Sequence, residues 1–193
     1  MNCGLALILL LDVSGSIGPD DFARQREGHA AALRSPAITR AAEQDGIAIA
    51  AIQYDADSYP AMQWRVLRSA ADATAAAEHL AGMDRLGATN TYTGSAVMDA
   101  LAALDNAPCG DVRIVDVVTD GKANGGTPLP TARDAAQDAG VRVNVLIVGG
   151  DDEDADDMRD RLATRDGFVM RVSGWEEFAT AVRKKVVLEV GAR

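Results

Sequence analysis

The stretch Leu9–Gly18, LLLDVSGSIG, decides how the rest of the chain is read. An apolar run from Leu5 to Leu11 stops at Asp12, and Ser14 and Ser16 then follow at every second position before a turn. Seven consecutive apolar residues suit a strand covered on both faces. Three oxygen-bearing side chains therefore stand where that strand reaches the surface. The run is too short for a membrane span and lacks the basic leader and small-residue cleavage site of a signal peptide. If the native protein is exported, its targeting segment lies outside this chain.

Outward from this strand, short β-rich runs alternate with alanine-rich helical stretches, the pattern of a doubly wound, mostly parallel α/β sheet with helices on both faces. Strands are expected at Leu5–Leu11, Gly46–Tyr54, Arg113–Thr119, Val141–Val148 and Gly167–Val172. A sixth, Met62–Leu67, follows too short a turn for a helical crossover and reads as an antiparallel edge strand. Helices fit Pro19–Leu33, Pro36–Glu43, Ala70–Ala81, Gly94–Leu104, Pro130–Ala139, Asp154–Ala163 and Trp175–Val187. With no linker, repeat or low-complexity tract, residues 1–193 are expected to form one domain. Composition agrees: 48% hydrophobic and 25% charged residues are those of a globular protein. The net charge of −10 repels nucleic-acid backbones and anionic lipid heads, and favours a cation or basic partner.

Ligands of open α/β sheets collect beyond the carboxyl ends of the strands. Asp12 occupies that position, as does Asp120 in VVTDGKANGG. The loop LGATNTYTGSA before the Gly94 helix adds hydroxyls at Thr89, Thr91 and Thr93. Carboxylates and hydroxyls are hard ligands, suited to Mg²⁺, Mn²⁺ or Ca²⁺ rather than to soft metals. Two negative charges neutralise a divalent ion, and neutral hydroxyls leave it with affinity for one more anionic oxygen from outside. Turn and helix-capping chemistry is the competing explanation of Asp-x-Ser-x-Ser alone, since all three residue types bond to nearby backbone amides. The threonine loop and the Thr-Asp-Gly at a second strand end favour the metal.

With these residues in this order the chain resembles a von Willebrand factor A domain carrying a metal-ion-dependent adhesion site. The resemblance implies metal ligands at Asp12, Ser14, Ser16, Thr89 (the first threonine of GATNT) and Asp120. It also implies direct contacts from Ser14, Ser16 and, in the ligand-competent state, Thr89, with Asp12 and Asp120 often acting through water and a partner's carboxylate completing the shell. QREGHAAALRSPAI, IVDVVTDGKANGG and EEFATAVRKKVVLEV resemble an uncharacterised, usually exported bacterial subgroup of these domains.

Cys3 and Cys109 are the only cysteines, a number that permits a disulfide without requiring one. Each lies near the start of its strand, nine residues before Asp12 and eleven before Asp120. The strand order implied by the resemblance makes those strands neighbours and brings the two cysteines together opposite the metal site. A bridge closing so long a loop stabilises a fold by up to ~4.7 kcal/mol on a chain-entropy basis. Such bridges persist in oxidising compartments, which favours the periplasm or exterior over the cytoplasm.

Other features read as structural. GGDDEDADD, Gly149 to Asp157, has no glycine at the sixth position from Asp151 and Leu162 at the twelfth, so it is expected to be a solvated loop whose acids favour the N-terminus of the next helix rather than a calcium loop. His29 and His79 lie in different helices without metal-ligand spacing, and Trp64 and Trp175 suit packing. KANGG, Lys122 to Gly126, lacks Gly-Lys-Ser/Thr, and its glycines are expected to let the backbone pass close to the metal site.

These residues point first to a non-enzymatic protein-binding module in which a divalent ion captures a partner's Asp or Glu. A metal-dependent hydrolase or phosphotransferase would use the same ion as a Lewis acid, but no general base accompanies the cluster. A cytoplasmic subunit of an ATPase-driven assembly is a third reading, for which free thiols would speak.

Overall fold

A computed structural model describes residues 2–191. β1 (Leu5–Asp12) leads through α1 (Pro19–Leu33) and α2 (Pro36–Asp45) to β2 (Ile47–Tyr54), which turns back into β3 (Ser58–Leu67). There follow α3 (Ala70–Gly82), α4 (Thr93–Leu104), β4 (Val112–Thr119), α5 (Leu129–Asp138), β5 (Arg142–Val148), α6 (Asp152–Arg161), β6 (Val169–Val172) and α7 (Phe178–Gly191). The strands form one sheet in the order β3-β2-β1-β4-β5-β6. All neighbours are parallel except β2 and β3. Among the described residues no helix is long and apolar enough to cross a membrane.

β1 is buried along its whole length, as a central strand between two helical layers must be. Its alternate residues serve opposite cores. Leu5, Leu7, Leu9 and Leu11 pack with residues of α1, α2, α3 and α7. Ala6, Ile8 and Leu10 pack with residues of α4, α5 and α6. The chain leaves β1 toward β2 on one side and later places β4 on the other. The crevice beyond the carboxyl ends of β1 and β4 is thus the switch point where such sheets take ligands. Leu5 is level with Val112 and Leu11 with Val118, so Asp12 and Asp120 emerge side by side.

The edge strand begins at Ser58, earlier than the expected Met62, and takes Pro60 within it. An edge strand tolerates a residue with no amide hydrogen, and the β2–β3 register shifts nearby. The acids of Gly149–Asp157 do serve a helix N-terminus, but α6 starts at Asp152, two residues before the expected Asp154, because Asp151 and Asp154 cap it reciprocally through side chain and backbone. The last helix starts three residues later than expected, since Trp175–Phe178 forms a turn with the Phe178 N–H bonded to the Trp175 carbonyl. Cys3 and Cys109 form a disulfide, with 5.4 Å between their Cα atoms, at the end of β1 and β4 opposite Asp12 and Asp120.

Candidate metal site

Asp12 is the last residue of β1 and is fully buried. One carboxylate oxygen accepts the Ser14 amide at 2.8 Å, the Asx geometry expected of an aspartate opening a turn. The other accepts the Thr119 hydroxyl, also at 2.8 Å, from the end of β4. The carbonyls of the loop are tied down as well. Gln25 of α1 donates to the Asp12 carbonyl at 2.9 Å, and the Arg85 guanidinium donates to those of Val13 and Ser14 at 2.9 and 2.7 Å. The loop is thereby shaped so that its serine hydroxyls face one another, Ser14 Oγ lying 3.3 Å from Ser16 Oγ. Ser16 Oγ then donates to Asp120 Oδ1 at 2.7 Å. Ser14, Ser16 and Asp120 thus form one chain of oxygens across the ends of two adjacent strands, and Asp12 joins it through the Ser14 amide.

Both carboxylates are poorly compensated. Burial raises the pKa of Asp12 above the ordinary carboxylate value against the hydrogen bonds of Ser14 and Thr119, and the charge of Asp120 adds to the rise. Burial also raises Asp120, opposed by the Ser16 hydroxyl and assisted by the charge of Asp21. No group of three or more His, Cys, Asp or Glu side chains placed to hold a metal occurs among the described residues. A cation at this crevice would rely on hydroxyl oxygens as much as on carboxylates.

Thr89 enters differently. Its carbonyl accepts the Gly15 amide at 2.7 Å, which fastens the threonine loop to the serine loop. A Cβ at Gly15 would lie 3.3 Å from the carbonyl oxygens of Ala88 and Thr89, so a side chain there crowds this junction. The Thr89 hydroxyl is bonded at 2.8 Å to Asp55, whose same oxygen also accepts the amides of Ala88 and Thr89. Burial pushes Asp55 up, but the amides of Asp57, Ala88 and Thr89 and the Thr89 hydroxyl outweigh it and hold its pKa below the usual value. Thr91 and Thr93 are buried.

Asp55 and Arg85 were not singled out from the sequence. Asp55 follows β2 directly, in IQYDADS, and the strand-end rule that marks Asp12 and Asp120 applies to it equally. Arg85 carries no comparable signal. The glycines of KANGG serve another contact than the one expected. A Cβ at Gly125 would come within 2.3 Å of the Tyr92 ring and one at Gly126 within 2.5 Å of Ser95 Oγ, so they seat this loop on the start of α4. His29 bonds the Gln25 carbonyl and His79 the Ala61 carbonyl. Trp64 donates to the Ala103 carbonyl, and Trp175 packs against Phe178.

The family model described as "Protein of unknown function (DUF1194)" matches residues 2–193. The chain belongs to this family. No curated protein matches the DUF1194 chain. Among solved structures it is similar to proximal thread matrix protein 1 from the mussel byssus with a zinc-occupied MIDAS motif. The identity is 18% and the TM-score 0.78, over 98% of this chain and 48% of that one. It is similar to a von Willebrand factor type A protein from Catenulispora acidiphila, at 19% identity and a TM-score of 0.72 over 98% and 43%. It is also similar to the conserved hypothetical protein BatB from Bacteroides thetaiotaomicron, at 20% identity and a TM-score of 0.70 over 98% and 100%. The DUF1194 chain spans about half the length of the mussel protein. Its fold is that of von Willebrand factor A domains.

Proposed function

We propose that residues 1–193 act as one divalent-metal-dependent protein-binding module. Asp12, Ser14, Ser16, Thr89 and Asp120 would hold Mg²⁺, with Mn²⁺ or Ca²⁺ as equally hard alternatives. The bound ion would supply a Lewis-acidic position for an Asp or Glu carboxylate of a partner. The observation that supports this reading is the chain of oxygens from Ser14 through Ser16 to Asp120, held at 2.7 Å where it closes, with the Asp12 carboxylate bonded to the Ser14 amide at its start. The Thr89 hydroxyl gives its proton to Asp55, which leaves oxygen lone pairs to offer a cation. A binding role is favoured over hydrolysis because neither histidine reaches this cluster: each is bonded to a main-chain carbonyl elsewhere. The Cys3–Cys109 bridge favours an exported protein working in an oxidising compartment.

Calorimetric titration of Mg²⁺, Mn²⁺, Ca²⁺ and Zn²⁺ into chelated protein tests the reading, with Asp12→Ala as control. Zinc is included because the mussel protein's MIDAS motif holds it. Saturable binding that disappears in Asp12→Ala is the expected result. Equal binding by the variant, or no binding by either protein, sinks the proposal.

A further inference from the structure

A second set of ionisable side chains lies in the core between the sheet and α7, apart from the metal site. Asp116 stands in the middle of β4, Asn144 in β5, Lys185 and Glu189 one turn apart on α7, and all four are fully buried. Lys185 Nζ contacts Asp116 Oδ1 and bonds Glu189 Oε1 at 2.8 Å. Asn144 donates to the same Glu189 oxygen at 2.9 Å. The Phe168 ring lies 5.8 Å from the ammonium. From α1, His29 reaches the same region: it is buried, its ring is 5.3 Å from that of Phe178 at the start of α7, and its Nε2 has no partner.

One lysine faces two carboxylates here. A buried charge without a partner is far costlier than a neutral group, and Glu189 Oε2 and both oxygens of Asp116 have no hydrogen-bond partner, the Lys185 contact being the compensation Asp116 shows. We propose that Asp116, Lys185 and Glu189 form a proton-dependent latch that sets how firmly α7 is seated against the sheet. With a proton on Glu189 the cluster is one cation and one anion. Without it, seating α7 confines a surplus negative charge in the core.

The direction with pH follows from the groups present. Burial, with the charge of Asp116, raises Glu189 from 4.5 to about 8, so seated α7 binds more protons than lifted α7 between these values. Its seating therefore weakens as pH rises toward 8 and levels off beyond. Burial lowers His29, which favours lifting as pH falls below 6.5 and opposes the Glu189 trend there. Asp116 and Glu189 hold Lys185 above its usual 10.5 despite burial, so it stays charged throughout. The net loosening is confined to about pH 6.5 to 8.

Amide hydrogen exchange on the intact protein between pH 6.5 and 8.5 tests the latch, comparing protection factors of α7 and β4. In the native sequence α7 protection should fall with pH, by up to about tenfold per unit for one proton, while β4 protection falls less. Glu189→Gln, which keeps the shape without titrating, should abolish the α7 trend. A flat native profile, an equal trend in Glu189→Gln, or β4 falling in step with α7 overturns the proposal. Should Glu189→Gln not fold, Asp116→Asn is the second variant. Removing the competing charge should end the loosening at lower pH, and an unchanged window overturns the latch.

Discussion

Asp55 holds the threonine loop from below, accepting the amides of Asp57, Ala88 and Thr89 and the hydroxyls of Thr89 and Tyr59. Truncating it leaves several donors without an acceptor at once. Asp55→Ala should cost roughly 1–3 kcal/mol in urea unfolding, the usual penalty for stranding part-buried donors. That Asp12, Ser14, Ser16 and Asp120 come together was legible, because two strand ends, the short spacing of the serines and the residue types point the same way. Thr89 was legible only as a loop position. Its hydroxyl direction depends on Asp55, which lies 34 residues away in sequence and belongs to a different strand end. A motif specifies where oxygens stand, whereas the partner of each hydroxyl is decided by side chains brought in from elsewhere.

The helices show where pattern reading works and where it stops. α1 matched its expected bounds because Pro19 and two acidic residues mark its start unambiguously. The start of α6 was misplaced because a run of acids looks the same in a solvated loop and in a helix first turn, until Asp151 and Asp154 are seen to cap one another. The buried Lys185 and Glu189 of α7 could not be foreseen, since charged residues are ordinarily assigned to a solvated face. Contact between α1 and α7 depends on Gly28, where a Cβ would lie 2.7 Å from the Phe178 ring. Gly28→Ala should therefore lose stability by about 0–2 kcal/mol, overpacking of roughly 1–3 being partly offset by about 1 of helix propensity. Thermal or urea unfolding measures it, and a variant more stable than the native protein would show that α7 yields freely.

Taken whole, the molecule carries its covalent bridge and its oxygen cluster at opposite ends of the same two central strands. Reducing Cys3–Cys109 should lower the stability by about 2–4 kcal/mol, read as a fall in Tm on calorimetric scans with and without reductant. Divalent affinity should be unchanged by reduction, because the strand ends holding Asp12 and Asp120 are fixed by Thr119, Gln25 and Arg85 rather than by the bridge. A common loss of both properties would mean that the strand pair shifts along its length.

The placement of the bridge also has a mechanical consequence. If a partner is held at Asp12 and Asp120 as proposed, a tensile pull on it runs lengthwise down β1 and β4. Because the two strands are parallel, such a pull draws both the same way, and their evenly spaced ladder of hydrogen bonds is loaded in shear only where one strand is held back at its other end. At the foot of the pair the Cys3–Cys109 bridge passes any unequal load from one strand to the other, so neither can slide fully past its neighbour while it is intact.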